Sequence, residues 1–184
     1  MTFDYSGYEL KFIQKQPCRD QSFHLFTLIY KFFSPVTKYH YILRAEYHEG
    51  DVFAIKFYCK KDKRSDFKYS KIINRGDIGN ILITSAKVIP LLLSDYPTAS
   101  FGLSGARSID FQTLKVEDYN NNQRFRIYKH IIALKFGTIT FAHYEYEKIS
   151  SYLLINKNCD NVQKKEKELV KMFSLTYHNL PDII

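Results

Sequence analysis

The side chains best suited to acid–base chemistry stand close together at Arg126, Lys129 and His130, inside a stretch with helical spacing. An imidazole exchanges protons near neutral pH, and two cations can meet charge developing on a phosphate. Metal-independent cleavage of RNA asks no more of side chains than that. The same three residues also form the polar stripe of an ordinary solvated helix, which is the preferred reading; a metal-independent ribonuclease toxin is the alternative it leaves, and Arg126 and Lys129 also count among the cations open to a nucleic-acid partner.

Arg124 and His130 fit the R-x(4-6)-H spacing of HEPN ribonucleases. Those enzymes are all-helical, whereas this chain is rich in strands. Six residues also leave two side chains roughly 120° apart on a regular helix, with Arg124 nearer the apolar side, so the match is read as coincidence.

Metal and nucleotide chemistry find less support. His40 and His48 lie eight residues apart without a carboxylate or thiolate pair at short ligand spacing, and His143 and Glu145 are an ordinary alternate pair on one strand. Cys18, Cys59 and Cys159 are odd in number and widely spaced, which argues for reduced thiols rather than a disulfide framework or zinc site. The turn from Gly102 to Arg107 offers small residues, a hydroxyl and a cation, the ingredients of an anion-binding nest, but it lacks the phosphate-loop pattern. It is read as a structural turn with a phosphate contact open to Arg107. No metal and no cofactor are expected.

The segment from Tyr58 to Tyr69 interleaves cations with rings: Lys60, Lys61, Lys63, Arg64 and Lys68 alternate with Tyr58, Phe67 and Tyr69. Lysines can follow phosphates while a ring stacks on an unpaired base, a combination that suits single-stranded RNA better than duplex DNA. Such a segment is equally a solvated tip protecting a sheet edge. Lys164, Lys165, Lys167 and Lys171, offset by Glu166 and Glu168, read as an exposed helix face.

The elements that hold these residues follow from periodicity. Tyr39, Tyr41, Leu43, Ala45 and Tyr47 alternate with Lys38, His40, Arg44 and Glu46, and Phe53, Ile55, Phe57 and Cys59 repeat the pattern beyond Glu49-Gly50-Asp51. That is an antiparallel hairpin of half-buried strands. Tyr8 to Lys15 and Phe23 to Phe33 also read as strands; the second is apolar on both faces and is expected to be central. Asp77 can cap a helix with Ile78, Ile81, Leu82, Ser85, Ile89, Leu92 and Tyr96 on one face, kinked or divided by Pro90 and finished before Pro97. Ala99 to Ser104 is a short strand, followed by irregular chain to Asn122. A helix runs from Asn122 to Phe136 and stops at Gly137, with Phe125, Ile127, Tyr128, Ile131, Ile132 and Leu134 toward the body. Thr138 to Glu147 and Ile149 to Ile155 form a hairpin. A helix from Asn161 to Asn179 closes the chain, seamed by Val162, Leu169, Phe173 and Tyr177. The expectation is a single α+β domain over residues 1–184, a mostly antiparallel sheet with two or three helices packed on it.

The chain has 184 residues, with 27 Lys and Arg against 19 Asp and Glu for a net charge of +8. A positive excess attracts polyanions, though it also keeps a protein dissolved. With 15 Phe and 15 Tyr it can fill a core without a staple. Met1 to Gly7 carry neither a basic leader nor an apolar run, and no unbroken apolar stretch reaches the roughly 18 residues of a membrane span, so a cytoplasmic protein with no membrane partner is expected.

Four stretches carry a family resemblance: Asp51 to Phe57, Ile83-Thr84 before an apolar run, the strand ending Phe101-Gly102-Leu103-Ser104, and Arg124 to Tyr128. Over these the chain resembles a family of uncharacterised bacterial proteins, in which a glycine-serine turn leads directly to an Arg-x-Arg-apolar-Tyr helix start. Here the segment from Ala106 to Gln123 intervenes. The resemblance implies an α+β domain and no activity. In composition the chain is also similar to the small Lys-, Tyr- and Asn-rich proteins of mobile elements and phages, which include toxins and inhibitors of host nucleases. The functional expectation is a non-enzymatic binder of RNA or of an RNA–protein complex, an anti-CRISPR type of inhibitor facing a CRISPR effector. A protein-interaction domain using the tyrosines of Tyr39 to Tyr47 is the remaining alternative.

Overall fold

A computed structural model describes residues 5–71 and 76–177. The first four strands, β1 (Lys11–Pro17), β2 (His24–Ser34), β3 (Tyr39–His48) and β4 (Val52–Cys59), form an antiparallel meander. Its turns use left-handed backbone where tight reversal demands it: Lys38 at φ 61° between β2 and β3, then Gly50 and Asp51 at φ 84° and 55° between β3 and β4. Asp51 then ties this second turn to the far side of the sheet, accepting from Tyr47 Oη at 3.1 Å and from Thr98 Oγ1 at 2.6 Å.

After β4 the chain crosses over through α1 (Ile78–Ala86) and α2 (Val88–Asp95) to β5 (Ser100–Ser104), which lies parallel to β4. A parallel neighbour requires such a crossover. A small hairpin of β6 (Ile109–Asp110) and β7 (Lys115–Val116) precedes α3 (Gln123–Lys135), and β8 (Phe141–Tyr146), β9 (Ser151–Asn156) and α4 (Val162–Thr176) follow. The main sheet runs β1-β2-β3-β4-β5-β9-β8, antiparallel except at β4–β5. This is the mostly antiparallel α+β domain that the alternation and the order of elements predict.

The two faces of the sheet are covered unequally. On one face Ile81, Leu82, Ile89, Leu92, Phe125, Tyr128 and Ile132 from α1, α2 and α3 close over Leu43, Phe53, Ile55, Phe101 and Leu154. On the other, α4 sets Leu169, Met172 and Phe173 on Val52, Ala54, Leu153 and Ile155. Each such side chain contributes about 1.5–3 kcal/mol when fully buried. Among the described residues, no helix lies over β1, β2 and the start of β3 on the α4 side.

Several sequence expectations are corrected. β4, buried at nearly every position, is the central strand, while β2 stands second from the edge. Strand β1 begins at Lys11 rather than Tyr8, because Tyr8 packs under α1 with its hydroxyl 2.8 and 2.9 Å from the Asp77 carboxylate oxygens. Asp77 does not cap α1 through its side chain: it is buried and accepts from Tyr8, Ser34 and Asn80, pinning the β2–β3 turn to the helix. The long helix does divide as Pro90 predicts, at Lys87, because Pro90 lacks an N–H and, in a continuous helix, its ring would strike the Ala86 carbonyl. Ile78–Asp95 is long and apolar enough to cross a membrane, as buried core helices also are, and 56% of it is buried in this core. Leu134 is exposed, and the segment after β5, expected to be irregular, contains the β6–β7 hairpin. Strands β8 and β9 are shorter than expected, with a 3-10 turn at Glu147–Ile149 between them. The expected end of the last helix at Asn179 lies outside the described residues, as do Met1 to Asp4.

Candidate nucleic-acid interface

Strand β5 pairs with β4 only as far as Ile55, opposite Leu103, so the last residues of β4 project beyond their neighbour. There the chain turns through a 3-10 turn at Lys60–Asp62 and a series of tight turns, with Ser65 N donating to Asp62 O at 2.8 Å and Ser70 N to Phe67 O at 2.9 Å. The winding turns Lys60, Lys61, Lys63 and Arg64 out to solvent and Asp62 inward, where Lys71 Nζ meets its Oδ1 at 2.9 Å. Asp66 is the exposed carboxylate of the segment. Lys61 Nζ lies 4.1 Å from the centre of the Tyr39 ring. Lys68 reaches over Tyr58 and Tyr69, at 5.1 and 5.3 Å. Burial pushes the Tyr69 phenol up to about 12, so it stays neutral.

Arg124 fixes this segment from behind. Its guanidinium is buried, donates to the carbonyls of Tyr69 and Lys71, the latter at 3.0 Å, and lies 5.5 Å from the Phe57 ring centre. Burial lowers its pKa from the usual arginine value. Asn122 caps α3 by accepting from Phe125 N at 3.0 Å, which sets the helix phase that turns Arg124 inward and His130 outward. The Arg124–His130 spacing therefore does not bring the two side chains together.

Sequence reasoning missed the second half of the surface. Ile109 N donates to Ser70 O at 2.9 Å, and Lys71 bridges Ile109, so the β6–β7 hairpin docks beside the basic segment. Phe67 and Phe111, 53% and 50% exposed, meet with ring centres 6.1 Å apart. Lys71 lies 5.6 Å from the Phe111 ring. Two carboxylates beside the hairpin are turned to nearby backbone: Asp110 accepts from Gln112 N at 2.9 Å, and Glu117 from Ser108 N at 3.0 Å and Gln123 N at 2.6 Å. A ring at 111 flanked by Asp110 and Gln112 carries no helix or strand period, which is why pattern reading passed it by.

The other singled-out residues stand apart. Gly105 N and Ala106 N donate to the carbonyls of Ser150 and Ser104, so the glycine turn is not an anion nest, and Arg107 lies 4.0 Å from the Tyr119 ring centre. On α3, Arg126 donates to the Asn121 carbonyl and His130 is exposed. Lys129 pairs with Glu145 at 2.6 Å and Glu147 at 3.3 Å; these hydrogen bonds raise its pKa and offset the positive charge a cleaved phosphate would need there. Among the tyrosines of β3, Tyr41 is fully buried on Phe32, while Tyr39 and Tyr47 are partly buried against the same core, Tyr47 beside Phe26, Phe53 and Tyr96.

A polar cluster under the end of α4 also escaped the sequence. Glu46 binds Lys56 at 2.8 Å and Arg44 at 3.2 Å and accepts from Tyr177 Oη at 2.6 Å. His48 donates from Nδ1 to the Glu46 carbonyl at 2.8 Å, its Nε2 lies 2.8 Å from Tyr177 Oη, and its ring stacks on His24 at 5.1 Å. Alternation marks these as the solvent face of β3, whereas α4 and Tyr177 cover them. Among the described residues, no three His, Cys, Asp or Glu side chains are placed to hold a metal.

No family model, curated protein or solved structure matches this chain. The reading of function therefore rests on the site itself.

Proposed function

We propose that the protein is a non-enzymatic binder of single-stranded RNA, free or exposed on an RNA–protein complex, acting through the surface built by residues 58–71 and the β6–β7 hairpin. The observation that supports it is the exposed row Lys60, Lys61, Lys63 and Arg64 beside the half-exposed rings Phe67 and Phe111, with the charge of Asp62 turned inward. Cations follow a phosphate backbone, and exposed rings hold unpaired bases without regard to sequence. An RNA-guided nuclease is a partner of this chemistry, and a protein occupying its RNA channel would inhibit it one for one.

Gel-shift titration with a single-stranded RNA at several salt concentrations tests the reading. Replacing Lys60, Lys61, Lys63 and Arg64 together by Ala should weaken binding and flatten its salt dependence by about 0.7 in log–log slope for each phosphate no longer neutralised. Absence of binding by the intact protein at low salt refutes the reading, and an unchanged slope moves the phosphate-binding cations off this segment.

A further inference from the structure

The face of the sheet that α4 leaves open has a composition of its own. Register puts Lys11, Gln14 and Gln16 of β1, Ile29, Lys31 and Phe33 of β2, and His40, Ile42 and Arg44 of β3 on that side. Lys31 stands between Lys11 and Ile42, and Ile42 is opposite Tyr58 of β4. Phe33 is 42% exposed and its ring centre lies 5.0 Å from that of exposed His40. The one carboxylate that β1–β4 place on this face among the described residues, Glu46, is buried and already bonded to Lys56, Arg44 and Tyr177. The face is thus cationic and apolar with an exposed ring pair, and exposed carboxylates are absent from its strands.

Its position matters as much as its chemistry. Phe33 and His40 lie at the end of the sheet where β4 gives way to the basic segment, since Tyr41 pairs with Cys59 and the next residue, Lys60, begins the 3-10 turn. Lys68 over Tyr58 joins the two areas. The rings at Phe33 and His40 and the cations at Lys31 and Lys11 thus lie toward the end of the sheet from which the basic segment departs.

We propose that the open face of β1–β3 is a second docking surface for the same single-stranded RNA, with Phe33 and His40 stacking an unpaired base and Lys31 and Lys11 holding its phosphates. This rests on the RNA-binding reading above. A polyanion answers the charge of the face, and stacking answers its exposed rings, whereas the same face of a second copy would set cations against cations.

The chain contains no Trp, so Phe33→Trp introduces a single indole as a reporter. Titrating that variant with a 12-nucleotide oligouridylate should quench the indole with the midpoint that gel shift gives for wild-type. Phe33→Ala and Phe33→Leu should each weaken binding at least about fivefold while leaving the salt slope unchanged, because a stacking contact releases no counterion. Thermal midpoints close to wild-type keep the comparison free of folding losses. If the oligonucleotide binds wild-type, yet the indole stays silent and both Phe33 variants bind normally, this face carries no RNA, and the reading of residues 58–71 survives. A wild-type dimer that Phe33→Ala dissolves also overturns the inference, by giving the face to a second copy. Equal affinity for duplex DNA of the same length overturns it too, since stacked bases cannot use the rings.

Discussion

Glu46 and His48 show how a residue's surroundings fix its charge. Burial works against ionising Glu46, but the Lys56 ammonium and the Tyr177 hydroxyl outweigh it and hold the carboxyl at about 2. Burial, reinforced by His24, pushes the His48 imidazole down to about 4 from its ordinary 6.5. Between those two values the unfolded chain binds a proton that the folded chain refuses, so stability is complete above pH 6.5 and declines as the pH falls toward 4. Glu46 acts in the same direction lower down, its contribution fading as the pH drops from 4.5 toward 2. Urea unfolding measured from pH 7 to 3.5 should show stability falling with acid by at most about 1.4 kcal/mol per pH unit for the histidine. In His48→Gln the slope above pH 4.5 should flatten while the loss below it persists. A slope unchanged in that variant assigns the proton elsewhere. The hairpin closed at Glu49 to Asp51, which sets Arg44 opposite Lys56, was legible. The closing of this cluster by Tyr177 was not, because 129 positions separate Tyr177 from His48 and no local pattern reports contact at that range.

At the scale of elements, strands and helices with a clear apolar period were readable and their partners across the sheet were not. Alternation located β3, β4, β8 and β9, and Asn122 and Asn161 marked the starts of α3 and α4, where both side chains cap as their type implies. Alternation also misled, because it assigns one face of β3 to water and cannot see α4 arriving over Glu46 and His48. The β6–β7 hairpin is the element on which the candidate site most depends and the one least visible in sequence, with two short strands and a turn held by Asp110. Glu117 N donates to Ser108 O at 2.9 Å, which closes the hairpin at its base. Replacing residues 109–116 by two glycines should therefore spare the fold and remove Phe111. Single-stranded RNA affinity should fall about tenfold, the worth of one stacked base, with the thermal midpoint nearly constant. Unchanged affinity in that deletion would take the β6–β7 hairpin out of the RNA-binding surface.

For the molecule as a whole, the sheet is two antiparallel pieces, β1–β4 and β5–β9–β8, joined side by side along Val52–Ile55 and Ser100–Leu103. Both faces of that seam are roofed, by α1 to α3 on one side and α4 on the other. The chain that links the pieces in sequence passes through Lys60, Lys61, Lys63 and Arg64, each exposed and each followed by a bond that trypsin recognises. These bonds thus lie outside the packing that holds the pieces together. A brief trypsin digest should yield two fragments in a denaturing gel that still co-elute as one body in gel filtration, and bound RNA should delay the cut. Fragments that part company would mean the seam depends on an unbroken chain. If they stay together, the protein can be made as two separate polypeptides that reassemble, which would turn the loop bearing its basic row into an interchangeable cassette.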